Sequence, residues 1–484
     1  MDITVVGAGP TGLVLACGLL GAGIPVRVVD GADGPAVTSR ALGLQPRGTE
    51  VLDRLGALGD LPDRSVGIGR IAIHVNGKPL GELKVGQVTK LVRRRGLLIS
   101  QAEIEGQLRR RFAELGGVIE WGTSLVSLEQ DGSGVRFTTT GGRESRTDWL
   151  VGCDGAHSAV RKAAGIGFPG APLVERFLLT DVHADLALER DAVTVWLSGE
   201  DLLAAFPLPG GVWRLMAPAP TGFADDGDIA ATMADLLRDR AGLRDAAVTS
   251  TAWTSSFRFH RRLAEHYRAG RVLLAGDAAH IHSPFGGQGM NTGLGDAENL
   301  AWKLALVASG HAESSLLDTY EAERRPIAEG VLSSTSGMTK LMVGESAPAR
   351  LLRDHVVVPM MNRGFVQKAI VEKSSQLKVT YRGGPLGGHR FGRGPRPGDR
   401  VPDRPCTRPD GTTTRLHAEL GFRWVLLGDE ECAAVARKRL GDERVTVLPT
   451  DGDTLLIRPD GHLGWRGHEA PDALDSWLTG ILGT

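Results

Sequence analysis

Cysteine is scarce, and nothing in its spacing suggests pairing. Four cysteines occur in 484 residues, Cys17, Cys153, Cys406 and Cys432, and no two form a C-x-x-C. Zinc ribbons and dithiol redox motifs are thereby excluded. No apolar run approaches the ~18 residues of a transmembrane helix. The chain opens on MDITVVGAGP, directly in an apolar strand, without the charged and apolar regions of a secretory signal. Neither charge sign is in excess: the net charge is −1, and the arginines are interleaved with Asp and Glu. That balance calls for neither nucleic acid nor an anionic membrane. Internal repeats, low-complexity segments and metal-ligand clusters are also missing. The expectation is a soluble cytoplasmic protein with free thiols. At about 150 residues per domain, the length suggests roughly three domains.

What is present is an α/β pattern. Residues 2–6 form a short apolar run that ends in Gly7, and small and apolar residues from Pro10 to Leu20 follow at helical spacing. PVRVVD (25–30) is a second strand, so the first thirty residues read as a β-α-β unit. A strand at 97–100 leads into a helix at 101–115. Further strands end in DWLVGCDG. From about 170 to 260 the chain reads as antiparallel strands, with Pro209-Gly210-Gly211 at a hairpin turn. RVLLAGD (271–277) returns to a buried strand, and a helix follows with Leu294, Ala297, Ala301, Leu304 and Ala308 on one face. A Gly-, Pro- and Arg-rich stretch over 383–411 marks a linker into a last, small α/β unit.

Three motifs carry chemistry. The first is Gly7-Ala8-Gly9-Pro10-Thr11-Gly12, between a strand and a helix. Gly7 permits the tight turn, Gly9 lets a pyrophosphate approach, and Gly12 lets helix and strand pack closely. The helix start then offers free N–H groups to phosphates. Asp30 ends the second strand, 23 residues after Gly7, where a carboxylate can bind ribose hydroxyls. This is a dinucleotide site, and on its own it does not separate NAD from FAD. The second motif, Cys153-Asp154-Gly155-Ala156-His157-Ser158-Ala159-Val160-Arg161, closes a buried strand. The third runs Gly276-Asp277-Ala278-Ala279-His280-Ile281-His282-Ser283-Pro284-Phe285-Gly286-Gly287-Gln288-Gly289-Met290-Asn291. Here an acidic residue stands at a strand's carboxyl end, before a Gly-rich loop and a helix. Asp277 can accept hydrogen bonds from the ribityl hydroxyls that FAD has and NAD lacks. Alternatively it is a turn carboxylate. The helix start favours the anionic edge of a reduced flavin by ~0.3–1 kcal/mol or somewhat more when buried. His157, His260, His280 and His282 read as structural histidines.

In this order and spacing, GAGPTG, DGAHSAVR and GDAAHIHSPFGGQGMN resemble the single-component flavoprotein aromatic hydroxylases, the para-hydroxybenzoate hydroxylase-like family. The segment after about residue 390 is similar to the thioredoxin-like domain of the family's phenol hydroxylase and aromatic polyketide hydroxylase branch. The resemblance implies a Rossmann-type FAD-binding domain (1–170 and 260–385). An inserted, mainly antiparallel substrate domain (171–259, with a contribution from about 70–100) and a thioredoxin-like domain (386–484) complete it. It assigns Gly7, Gly9, Pro10, Thr11, Gly12 and Asp30 to the ADP portion. Arg40 falls to flavin movement, Gln101 to a cofactor contact, and Asp154 to the FAD and nicotinamide motif. Gly276 and Asp277 fall to the ribityl chain, Pro284 to the flavin face where oxygen reacts, and Gly287, Gln288, Gly289, Met290 and Asn291 to the pyrimidine edge. Arg40 and Pro284 are the residues placed nearest the chemistry.

The implied reaction is hydroxylation of an aromatic, polyketide-type substrate by NADPH (or NADH) and O₂, through a flavin C4a-hydroperoxide. No second dinucleotide fingerprint occurs, so the nicotinamide binds transiently. Trp196, Phe206, Trp213 and Met216 in the middle sheet are read as the roof of an apolar substrate pocket, with core packing the alternative for each. The partner is a small aromatic molecule, and a homodimer is compatible with the sequence. The C-terminal unit lacks a C-x-x-C, and its Cys432, unpaired in the sequence at the start of a helix, is placed near the surface, so the unit is read as structural or interface-forming. Baeyer–Villiger oxygenation, epoxidation and flavin reduction on the same fold stay open. So do a plain NAD-dependent dehydrogenase and a non-enzymatic flavin-binding protein.

Overall fold

The computed structural model describes the whole chain except residues 39–40, 86–91, 93, 200, 245, 283–286, 344–345, 389–394, 451, 469 and 484. Nothing is stated of the side chains of 172–175, 259, 335–336 and 338–343. Arg40 and Pro284 lie outside the described residues.

Three sheets organise the fold. The first has six strands in the order Arg268–Ala269, Val272–Leu274, Trp149–Gly152, Ile3–Val6, Val26–Val29 and Ile119–Glu120. All neighbours run parallel except the first pair. Short Val-, Ile- and Leu-rich runs suit such a sheet because both faces are covered. The Pro10–Gly21 helix covers one face and packs closely on the Gly289–Ala308 helix, where a Cβ at Gly18 would lie 2.7 Å from the Ala301 Cβ. From Asn291 to Ala308 that second helix is buried throughout, which makes it the spine of the molecule. It begins at Gly289, more than a turn before the Leu294 read from the apolar pattern, because its first residues are small and polar.

The second sheet has eight strands in the order His280–Ile281, Ala247–Leu263, Gly170–Asp185, Val212–Pro218, Asp201–Pro207, Ala192–Ser198, Arg70–Val75 and Lys78–Lys84. It is antiparallel except where Ala192–Ser198 pairs with Arg70–Val75. Thus residues 70–84 do join the middle sheet. The Ile229–Arg240 helix breaks the all-strand reading of 170–260. Asp228 caps it by accepting from the Ala231 amide at 3.0 Å, and its buried Met233, Leu236 and Leu237 recur at i, i+3, i+4.

The third sheet belongs to the C-terminal unit, in the order Val445–Leu448, Trp424–Leu427, Thr454–Ile457 and Leu463–Gly467, with only the first pair parallel. Helices Glu430–Leu440 and Pro471–Leu482 flank it. A β-α-β unit extended by an antiparallel hairpin and a last helix is a thioredoxin-like arrangement. Cys432 is fully buried at the start of the Glu430–Leu440 helix, which corrects its expected near-surface position. All four cysteines are free, and burial pushes the Cys17 thiol up to about 12. Among the described residues no helix is long and apolar enough to cross a membrane.

Candidate active site

Ile3–Val6, Trp149–Gly152 and Val272–Leu274 are adjacent parallel strands, so their carboxyl ends lie side by side. Each end carries one of the three sequence motifs. Sheet order, which no local pattern encodes, therefore brings together stretches about 140 and 270 residues apart in the chain.

The glycines of the first motif divide their work. Gly7 sits at φ +107°, and a Cβ there would lie 2.3 Å from the Cys153 carbonyl oxygen. A Cβ at Gly12 would be 1.9 Å from the Gly7 carbonyl oxygen. Both positions tolerate only a hydrogen. At Gly9 nothing lies within 4 Å of the Cβ position, so this side of the turn is open to an approaching group. Pro10 begins the helix, where its missing N–H costs nothing. The Thr11 hydroxyl is wedged against Gly276 and Gly293, 2.5 Å from the Cβ position of each. Thr11 thereby fixes the first motif against the third. The Asp30 carboxylate accepts from the Ala8 amide at 2.7 Å and the Ala32 amide at 2.8 Å. It holds the turn in shape, and each oxygen keeps a lone pair for a hydroxyl.

Asp154 has a local role that the motif did not announce. One oxygen accepts from the Ser158 hydroxyl at 2.5 Å and the other from the Val160 amide at 3.1 Å, tying the loop to the Ala159–Ala163 helix. Arg161, given no role from sequence, is buried and donates to the carbonyls of Ala278 (2.8 Å) and Ala156 (3.0 Å) while stacking on Phe168. The signal that pointed to it was its place in DGAHSAVR. Gln101 opens the Gln101–Glu114 helix and donates to Glu105 at 2.7 Å, while Ser100 supplies the cap.

Gly276 stands at φ +62°, and its amide donates to Asp296 at 3.2 Å. The next residue, Asp277, is surrounded by protein yet open to solvent, and its carboxylate has no hydrogen-bond partner among the described residues. The surrounding protein raises its carboxyl above the usual range, His280 opposes that shift, and Asp296 adds to it. His280 is fully buried, with Nε2 2.6 Å from Asp296. Its Nδ1 is buried without a hydrogen-bond partner among the described residues.

Gln288 precedes the Gly289–Ala308 helix and makes no side-chain cap, so among the described residues the helix's first amides are left for another acceptor. Asn291 turns its side chain inward, accepting from the Gln45 amide at 2.9 Å and donating to the Gly287 carbonyl at 2.9 Å. Met290 packs on the main core.

The four expected roof residues do not form one wall. Strand alternation sends Trp196 and Trp213 into the core under the Ile229–Arg240 helix, with Leu203, Leu215 and Met233. Phe206 and Met216 emerge on the opposite face, clustered with Phe177 and Phe257. Phe206 also joins an apolar cluster with Leu98 and Leu42. The Leu42–Leu44 strand leads directly into Gln45, which Asn291 holds. The Phe206 face is thus joined, through Leu42, to the segment that bonds the glycine-rich helix start.

Residues 1–335 match the family described as "FAD binding domain". Residues 394–484 match "Aromatic-ring hydroxylase, C-terminal". The chain belongs to the FAD-binding aromatic-ring hydroxylases. Within this family it is 36% identical to the 6-methylpretetramide 4-monooxygenase of Streptomyces rimosus, over 97% of this chain and 91% of that protein. It is 35% identical to the rifampicin monooxygenase of Streptomyces venezuelae, over 98% and 97%. The flavin-dependent monooxygenase PieE, solved with FAD and substrate, superposes with a TM-score of 0.84 at 25% identity, over 100% of this chain and 99% of that one. The residues fit the cofactor of the family: an open approach at Gly9, an unpartnered carboxylate at Asp277 and an uncapped helix start at Gly289.

Proposed function

We propose that the chain hydroxylates a polycyclic, polyketide-type aromatic substrate at the expense of NAD(P)H and O₂. The observation that carries the reading is the apolar face of Phe177, Phe206, Met216 and Phe257, joined through Leu42 to the segment that bonds the helix start that suits a flavin. Such a face suits several fused rings. When bound, FAD supplies the redox chemistry: it takes up a hydride and activates oxygen. In this reading Gly7, Gly9, Pro10, Thr11 and Gly12 admit the pyrophosphate, and Asp30 accepts a ribose hydroxyl. Asp277, next to Gly276, accepts from the ribityl chain. The amides around Gly287, Gln288, Gly289, Met290 and Asn291 receive the pyrimidine edge. Gln101 and Asp154 line the cofactor. Arg40 serves the flavin's movement, and Pro284 bounds its reactive face. The apolar wall excludes water, so that oxygen is delivered to the ring rather than lost as peroxide.

We divide the chain into the discontinuous FAD domain, the substrate domain and the C-terminal domain at the boundaries read from sequence. We place the enzyme in the cytoplasm, with a homodimer as the assembly to check by light scattering. Incubation of a multi-ring phenol with enzyme, NADPH and ¹⁸O₂ tests the reaction. One labelled oxygen in the product is the expected outcome, with NADPH consumption stimulated by substrate. Unlabelled product, or label arriving only from H₂¹⁸O, overturns it. A labelled ring-expanded ester or epoxide replaces hydroxylation with one of the alternative oxygenations.

A further inference from the structure

The largest group of buried charges lies outside the site, where residues 458–462 of the C-terminal unit plug into the rest of the molecule. Arg458 is fully buried. Its Nη atoms donate to both oxygens of Glu323 at 2.7 and 2.9 Å, and its Nε to Asp460 at 3.1 Å. Asp460 also accepts from Asn299 (3.2 Å) and Trp302 (3.3 Å), on the helix whose start faces the site. One path leads from this cluster to the flavin-facing turn. The Tyr381 ring lies 4.3 Å from the His462 ring and 5.0 Å from the Arg458 guanidinium. The Tyr381 hydroxyl accepts from Arg324 Nη1 at 3.0 Å. Arg324 donates Nη2 to the Thr292 carbonyl at 3.0 Å and Nε to Asp296 at 2.8 Å. Asp296 receives the Gly276 amide and His280 Nε2.

We infer that the C-terminal domain positions the Gly276–Ala278 turn, and with it the Asp277 carboxylate, through His462 and Arg458, Tyr381, Arg324 and Asp296. The guanidinium is a rigid planar fork, so its three acceptors fix one orientation. Asp296, at the end of that fork, holds the amide of Gly276 from inside, while Thr11 blocks the turn from the other side. Loss of the Tyr381 hydroxyl leaves Nη1 without its buried acceptor. The guanidinium then reorients, and the carboxylate that anchors the turn moves with it. Arg324 and Asp296 are positioning residues, and Tyr381 is the point where the path can be cut without deleting a charge.

The test compares Tyr381→Phe with Glu50→Gln, in the FAD-bound protein. Glu50 accepts from Arg400 Nε at 2.9 Å and from Arg47 at 3.5 Å on the same domain junction; Arg47 reaches the Asp460 carbonyl, but Glu50 itself bonds none of His462, Arg458, Tyr381, Arg324 and Asp296. Hydrogen–deuterium exchange of peptides covering residues 275–281 is read beside the FAD dissociation constant and the melting temperature. Tyr381→Phe is expected to speed exchange in that segment by about fivefold or more and to raise the FAD Kd about five- to twentyfold. Glu50→Gln is expected to lower the melting temperature and leave both unchanged. His462→Gln, which removes the ring against Tyr381, must move the same peptides in the same direction. Unchanged exchange in Tyr381→Phe overturns the inference. So does equal acceleration in Tyr381→Phe and Glu50→Gln, which would report a loosened junction only. The FAD arm rests on the assignment of Asp277 to the cofactor. Faster exchange with an unchanged FAD Kd would keep the positioning path and remove that assignment.

Discussion

Two regions of this protein hold charge against the fold, and they treat it in opposite ways. At the carboxyl edge of the six-stranded sheet, Asp277 is surrounded by protein yet open to solvent, with no hydrogen-bond partner among the described residues, and its carboxyl is raised above the usual range. At the C-terminal junction, Arg458, Glu323, Asp460 and Lys303 are buried away from solvent, and each is paired. Burial alone would raise Glu323, but Arg458 and Lys303 pull it down to about 2. Burial carries Lys303 down to about 8 against the pull of Glu323. The paired charges tie the C-terminal unit to the rest of the molecule, although Asn299 Oδ1 and His462 Nε2 beside them have no hydrogen-bond partner among the described residues. Asp277 instead keeps its acceptor sites open to solvent and to a ligand. Charge pairing and solvent access, taken together, separate the two regions.

Breaking one partner of the junction gives the largest expected effect. Arg458→Met leaves Glu323 and Asp460 buried without their main cation and should cost about 3–5 kcal/mol in denaturant unfolding. A loss under ~1 kcal/mol would mean that the cluster behaves as a surface network.

Acid titration probes the same junction without mutation. Burial holds His462 down to about 4. Between about pH 6.5 and 4 the unfolded chain takes up a proton that the folded protein refuses. Stability should therefore be flat from about pH 6.5 to 8 and fall below that range, with about 3 kcal/mol of the loss between pH 6.5 and 4 coming from His462. Below about pH 4.5, protonation of the lowered Glu50 and Glu323 extends the loss. A pH series of urea melts on wild type and His462→Gln checks this. The variant should lose about half of the slope between pH 6.5 and 4, because burial also holds His417 down to about 4.

At the other region, Asp277→Ala should stay folded but purify with much less FAD. One charge-assisted hydrogen bond of roughly 1.5–3 kcal/mol goes missing. Normal flavin occupancy would take Asp277 out of the site and erase the contrast between the two regions.

The smallest effect is expected at Cys432. Its Ser variant should turn over within about twofold of wild type and lose only about 1 kcal/mol or so, since the change is nearly isosteric but places a hydroxyl in a buried site. A large activity loss at unchanged stability would give the C-terminal unit a thiol function.

Much of the fold was legible in the residues because glycine turns, strand runs and helix caps are local. Gly7 and Gly12 show the turn and the close packing expected of them, and Gly9 leaves open space, since each property follows from having no Cβ next to a strand end. The Ile229–Arg240 helix was missed although Met233, Leu236 and Leu237 carried its period, because the strands around it dominated the reading. The four expected roof residues split between two faces for a different reason. Which face of a strand looks at the site depends on register: Trp213 and Met216, three residues apart, point to opposite sides of the sheet.

By itself the sequence determined the cofactor motifs, the β-α-β start and the absence of a dithiol in the C-terminal unit. These depend on backbone conformation and residue chemistry within a few positions. Only the tertiary structure decided that three motif-bearing strands are neighbours, that Phe206 and Trp196 lie on opposite faces of their sheet, and that Arg458 and Glu323 meet across 135 residues of chain. Those outcomes rest on strand order, register and domain docking. They are set by which faces can be buried together, a property of the whole chain that no short window contains.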